Sequence, residues 1–399
     1  MVPQSLICLA AGMMLAAPAA ASAVPDRSSI QPDQPPAMQF VQPSGGGVLE
    51  PESERDRLAI FAPTADPIRH RIDYEIWDWA LKNIVLSMGP STRQGARRVD
   101  PVLGTRVKQG PQSRYRLEGS LVLFNFLDKE VIASFTEYRQ DLERVADTLD
   151  IAALPRNEQL AFWLNLHNVA LLEQLVREWP LREPREVTVD GVPLDDATIA
   201  TLRGIPVSLR DIRENIVFRH WRDPKVIYGF WRGEIGGPEL QRFAFNGANV
   251  GSLLDLAAMD FVNSLRGTQK LGDRLEVATL YAEVAPFYFP DFEADLRAHL
   301  TEYAEPEVAE IVAATRLTRA AINEHDIADF SGGARPANYL FTSSSSGVQS
   351  SRVGEAGANL LAERQRKLQR LRSRGEPRGR VFFSNIVLPG DPPNKNAVE

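Results

Sequence analysis

Residues 157–179 read NEQLAFWLNLHNVALLEQLVREW, a run that is apolar almost all the way round a helix and not along one stripe. A helix of that pattern has no face to offer water, so it belongs in the middle of a domain. Leu154-Pro155-Arg156-Asn157 breaks the periodicity before it, and Asn157 is the expected N-cap. Upstream, DKEVIASFTEYRQDLERVADTLDI (128–151) puts Val131, Phe135, Leu142, Val145 and Leu149 on one helical stripe. Further upstream, IDYEIWDWALKNIVL (72–86) spaces Ile72, Ile76, Trp79, Ala80 and Ile84 as the buried face of an opening helix.

Downstream of Pro180 the pattern changes. EVTVDGVPLD (186–195) alternates Val187 with Val189 and then meets Asp190-Gly191, a two-residue hairpin signal. SLRDIRENIVFRHW (208–221) reads as a short helix with Ser208 as its cap and Asp211 in its first turn. KVIYGFW (225–231) reads as a buried strand running into the glycine turn RGEIGGP (232–238). LLDLAAMDFVNSL (253–265), DFEADLRAHLTEY (291–303) and PEVAEIVAATRLTRAAI (306–322) all show helical spacing. Helices outnumber strands and no βαβ alternation occurs, so the fold class is α+β: one helix-rich globular domain, 71–340, with a small sheet.

Both ends are read differently. Residues 1–23 carry no charge, an apolar run from Leu6 to Ala17 and a small-x-small site at Ala21-Ser22-Ala23. They are expected to be a signal peptide cleaved after Ala23, which makes the protein exported, periplasmic or secreted. Cys8 is the only cysteine, so the mature chain has no thiol and no disulfide. Residues 24–70, rich in Pro, Gly and Gln, are expected to form a disordered linker. The 341–399 tail is expected to be flexible and basic. Nine basic residues against three acidic lie between Arg352 and Arg380, a net +6 that leaves −13 for the rest of a chain whose total is −7. Leu361, Leu368 and Leu371 would make part of that tail a basic amphipathic helix able to touch anionic surfaces. No transmembrane segment is expected in the mature chain, and no nucleic-acid partner. His70, His167, His220, His299 and His325 are scattered without a zinc pattern, so neither a metal nor a cofactor is expected.

NEQLAFWLNLHN, SLRDIRENI, DPKVIYGF and GGPEL resemble, in order and spacing, the domain-of-unknown-function family 547, most clearly over residues 130–265. Its signature helix pattern is matched by Trp163, Asn165 and Asn168, with His167 where an aromatic is usual. The resemblance implies an α+β domain with a pocket. Where the family carries Ile-Glu-His, a later His and Ser-Cys-Pro, this chain has Ile212-Arg213-Glu214, Tyr228 and Gly236-Gly237-Pro238. It is thus a divergent member with neither a thiol nucleophile nor its base.

The candidate ligand-binding residues are Asn165, His167, Asn168, Arg213, Glu214, Tyr228, Arg232, Glu234, Gly236 and Gly237. Asn165 and Asn168 project about 60° apart on their helix and His167 about 160° from Asn165, so the three serve separate roles. Amides on so apolar a helix must be hydrogen-bonded, to a ligand or to a neighbouring loop's backbone. Arg213 and Arg232 offer planar donors to an anionic group, and the Gly233–Pro238 turn offers close backbone approach. The leading expectation is a non-catalytic domain that binds a small polar or anionic ligand or a cell-envelope component. A second is an envelope hydrolase with Glu214 or Glu234 as general base, assisted by His167 or His220. A third is a structural or assembly protein working through its two ends.

Overall fold

A computed structural model describes residues 57–64, 69–97, 110–333 and 355–373. The order is α1 (Glu75–Ile84), β1 (Val85–Ser87), β2 (Ser120–Val122), α2 (Lys129–Thr148), α3 (Arg156–Glu178), then hairpins β3 (Thr188–Val189)/β4 (Val192–Pro193) and β5 (Thr198–Leu202)/β6 (Ile205–Ser208). A π-helical stretch, Asp211–Val217, one α turn, Phe218–His220, and a 3-10 helix, Pro224–Gly229, lead to α4 (Val250–Val262). β7 (Thr268–Leu271), β8 (Arg274–Ala278), α5 (Thr279–Tyr288), α6 (Phe292–Tyr303), α7 (Pro306–Ala313), β9 (Leu317–Ile322) and α8 (Glu355–Ser373) complete it. Helices dominate and the strands form small sheets, so the architecture is α+β.

α3 is the axis of the core. Leu160, Ala161, Phe162, Trp163, Leu164 and Leu166 are all sealed from solvent, as an all-round apolar helix requires. Its cap is Pro155 and not Asn157, which sits in the first turn. Val189 pairs with Val192, and Asp190 (φ 51°) and Gly191 (φ 82°) fill the left-handed positions of the two-residue turn between them. Ser208 and Asp211 cap the next helix reciprocally: the Asp211 N–H donates to Ser208 Oγ and the Ser208 N–H to Asp211 Oδ2, both at 3.0 Å.

Four elements differ from the sequence expectation, each for a physical reason. α1 buries Trp77, Leu81 and Ile84, while Ile76 and Trp79 are exposed. Both faces are apolar, and periodicity alone does not say which one the core takes. KVIYGFW forms a 3-10 helix and not a strand, because Pro224 occupies its first turn and the Asp223 side chain accepts the Lys225 N–H. Residues 306–322 split into α7 and β9, the latter held by parallel pairing with β8. The boundaries shift as well. Arg57–Thr64, assigned to the linker, pack on the body, with the Phe61 ring edge-on to Trp163 at 5.3 Å and Arg57 paired to Asp211 at 2.8 Å.

The tail also differs. α8 lies on the body with Leu360 and Leu371 buried and Leu368 against Gly89, so two leucines of the expected stripe are covered while the third, Leu361, is exposed. Arg116 grips Glu363 at 2.9 Å through both Nε and Nη2, and the buried Lys367 ammonium donates to the carbonyls of Met88, Gly89 and Leu117. Among the described residues no helix is long and apolar enough to cross a membrane. The cleavage site, the rest of the linker and the tail residues 341–354 and 374–399 lie outside the described residues.

β8 and β9 place the site. They run parallel and end in step, with Ala278 opposite Ile322, so the residues that follow each strand arrive side by side. The chain after β9 then pairs back onto the glycine turn: Ile235 N–H donates to Asp326 O, Gly236 N–H to Glu324 O and Ala328 N–H to Gly233 O.

Candidate functional site

A cavity of about 220 Å³ opens where these segments meet. Its walls come from the turn at Pro184–Glu186, the residues after β4, the π-helical stretch, the glycine turn, the start of α5 and the residues after β9. Arg213, Arg232, Glu234, Gly236 and Gly237 line it, so five of the ten sequence candidates converge. π-helical geometry inserts an extra residue into the turn, and such stretches recur at functional sites.

Arg213 is buried and committed. Its Nη2 donates to Asp195 Oδ2 at 2.5 Å, and its Nη1 lies 3.1 Å from His167 Nε2. A guanidinium only donates, so Nε2 holds the lone pair and the His167 proton sits on Nδ1, which faces Asn168 Oδ1 at 3.1 Å. Burial, with the Arg213 charge beside it, pushes the imidazole pKa well down and keeps it neutral. Burial works against the Asp195 carboxylate, but Arg213 and Arg232 outweigh it and hold the carboxyl well below its ordinary range. Arg232 is less constrained. Its Nη2 reaches Glu283 at 3.3 Å, and that carboxylate is half exposed. Burial opposes the Arg232 charge too, yet Glu283, Asp195, Glu234 and Glu214 together raise its pKa.

A third cluster faces them. Arg185 holds both oxygens of Glu234, at 2.8 and 3.0 Å, and His325 Nδ1 lies 3.1 Å from Glu234 Oε2. Burial pushes the Glu234 carboxyl up, but the hydrogen bonds from His325 and Arg185 prevail and lower it.

The other five candidates stand off the cavity. Asn165 is buried and spends its amide on Phe245, donating to O at 2.7 Å and accepting from N at 3.1 Å. Asn168 donates to Gly229 O at 2.9 Å and accepts from Trp231 N at 3.1 Å, which fixes the backbone leading to Arg232. His167 backs Arg213 from behind. Tyr228 is buried against Tyr281 and His299, at 3.0 and 2.8 Å. Glu214 faces Arg210 at 3.7 Å, and burial raises its pKa. Neither Glu214 nor His220 lines the cavity, and the His167 lone pair is occupied, so none of the three is placed to act as a base there.

The glycine turn is also used differently. The Gly236 and Gly237 N–H groups donate to Glu324 O and Glu234 O and so are not offered to a ligand. Sequence reasoning missed Asp195, Arg185, Glu283 and His325. Asp195 was within reach, because it follows the hairpin directly. His325 was hidden by the reading of 306–322 as one helix, which gave the chain no reason to return to the glycine turn. Among the described residues no group of three or more His, Cys, Asp or Glu could hold a metal.

Comparison with known proteins is limited to the family level. The model of a family described as a protein of unknown function, DUF547, matches residues 151–262. No curated protein and no solved structure matches the chain. The matched segment contains α3, both hairpins, the π-helical stretch, the glycine turn and α4, and so supplies Arg213, Arg232 and Glu234, while Glu283 and His325 lie beyond it. Over residues 151–262 the chain thus matches the DUF547 family.

Proposed function

We propose that this chain is an exported protein whose cavity binds a small polar ligand through an anionic group held by Arg232. The observation that carries the reading is the contrast between the two arginines. Arg213 is fixed by Asp195 and His167, whereas Arg232 meets the half-exposed Glu283 carboxylate at 3.3 Å. Glu283 is half exposed and can turn into water, so a ligand carboxylate or phosphate can take its place on Arg232. Arg213 and Asp195 then act as a fixed dipole in the wall, and cavity groups of both signs favour a ligand that also carries a donor. Thiol chemistry is not part of this reading, because Cys8 is the only cysteine and falls within the segment expected to be cleaved.

Calorimetric titration of the purified protein with adipate, inorganic phosphate and the neutral 1,6-hexanediol tests it. Adipate or phosphate should bind and the diol should not. Replacing one charge-assisted partner, Arg232→Gln, should weaken binding roughly 10- to 100-fold. No binding of either anion, or equal binding to the variant, would overturn the proposal. Export rests on Leu6–Ala17 and Ala21-Ser22-Ala23. Material recovered outside the cytoplasm should begin at Val24 by intact mass, and retention of Met1 there would contradict it.

A further inference from the structure

We infer that His325, aimed by Glu234, is a general base in this cavity and that the ligand class it serves is a carboxylic ester bearing an anionic group. The inference rests on the ligand-binding reading above and adds chemistry to it. Glu234 is tied by Arg185 through two hydrogen bonds at 2.8 and 3.0 Å, so its position is set independently of His325. A carboxylate only accepts, so the 3.1 Å contact requires the neutral imidazole to carry its proton on Nδ1. The lone pair is then on Nε2, which has no hydrogen-bond partner among the described residues, and His325 lines the cavity with a quarter of its side chain exposed. A base oriented by a neighbouring carboxylate, with its free nitrogen beside a polar cavity, is the arrangement that general-base catalysis needs. His167 provides the contrast within the same chain, because its Nε2 is taken by Arg213.

The step balances without a cofactor. His325 Nε2 takes a proton from water as the water oxygen bonds to the ester carbonyl carbon. The tetrahedral oxyanion faces the guanidinium side of the cavity. On collapse the carbon–alkoxy bond breaks, and the imidazolium returns its proton to the leaving alkoxide, giving acid and alcohol. Arg232 holds the remote anionic group and Glu234 acts as the positioning residue.

The test uses the purified protein with mono(4-nitrophenyl) adipate and, as the uncharged comparison, 4-nitrophenyl acetate, followed by 4-nitrophenolate release. Turnover of the adipate ester should exceed the buffer rate, and His325→Ala should lower kcat by about 100-fold or more while leaving adipate binding intact. Added imidazole should restore part of the lost rate, which a merely structural histidine would not permit. The ionisation seen in the pH–rate profile should vanish in His325→Ala. Glu234→Gln should reduce kcat with KM unchanged, and His70→Gln, at an exposed position, should behave as the parent. If adipate binds but the parent and His325→Ala turn over the ester equally, the general base is overturned and the ligand reading stands. If phosphate binds but adipate does not, the ester class is overturned and the ligand reading stands; if neither anion binds, both fall together.

Discussion

Asp329 is sealed from solvent. Its Oδ2 accepts from Gly333 N at 2.9 Å and from Trp179 Nε1 at 3.3 Å, and Oδ1 has no partner among the described residues. Burial raises its pKa from 3.8 to about 6, with the surrounding donors opposing. A carboxyl raised in the folded state weakens the fold fully above the folded pKa, and that penalty is relieved as pH falls from about 6 towards 3.8. His299 works the other way: burial lowers it from 6.5 to about 4, so stability is lost as pH falls through that interval. Over the shared window the two slopes offset. Asp329→Asn removes one of them and retains an acceptor for Gly333. Urea denaturation should show the variant more stable at pH 7.5, by at most about 2–3 kcal/mol for a shift near two units. The advantage should vanish near pH 4, and the variant's stability should fall towards acid more steeply than the parent's. An advantage independent of pH would contradict the assignment.

At the scale of elements, the joint that matters is the pairing of the segment after β9 with the glycine turn. A Cβ on Gly236 would lie 2.6 Å from Glu324 O and 2.8 Å from its N, both backbone atoms that cannot step aside. On Gly237 the nearest contact would be Arg232 Cβ at 3.5 Å, ordinary packing. Gly236→Ala should therefore cost about 2–3 kcal/mol and loosen His325, whereas Gly237→Ala should stay within about 1 kcal/mol. Equal effects in chemical denaturation would refute the difference. The same joint shows where the sequence was readable. Asp190-Gly191, Ser208/Asp211 and α3 are local signals, complete within a few residues or one helix, and the structure forms all three. β9 is not local. LTRAAI takes its conformation from a parallel partner some forty residues earlier, and no spacing within the segment encodes that. The part of the cavity wall from Ile322 to His325 was lost with it. Arg232 and Glu234 were found because they flank the glycine turn and Arg213 because it stands where the resembled family carries Ile-Glu-His, and His325 was not because its neighbour in space is distant in sequence.

At the scale of the whole molecule, α8 joins what sequence reading set apart as a tail. Lys367 is buried, and its three carbonyl acceptors lie in two segments, Met88–Gly89 and Leu117. Burial lowers its pKa to about 8, so it is still largely charged at neutral pH. Lys367→Met would leave those carbonyls unmatched, at about 1.5–3 kcal/mol for hydrogen bonds to a charged group. Because Arg364, Arg366, Arg370 and Arg372 lie on the same helix, trypsin reports the loss directly. Cleavage within 364–372 should accelerate at least about tenfold in the variant while 130–265 stays resistant, and unchanged cleavage would mean that the ammonium does not hold the helix down. The in-step ending of β8 and β9 has an evolutionary consequence. The matched family segment ends at residue 262, yet Glu283 and His325 reach its cavity on connections that follow the two strands. Such connections can be exchanged without repacking α3. A lineage can thus keep one inherited socket and change the reagent plugged into it, so relatives sharing 151–262 need not share a reaction.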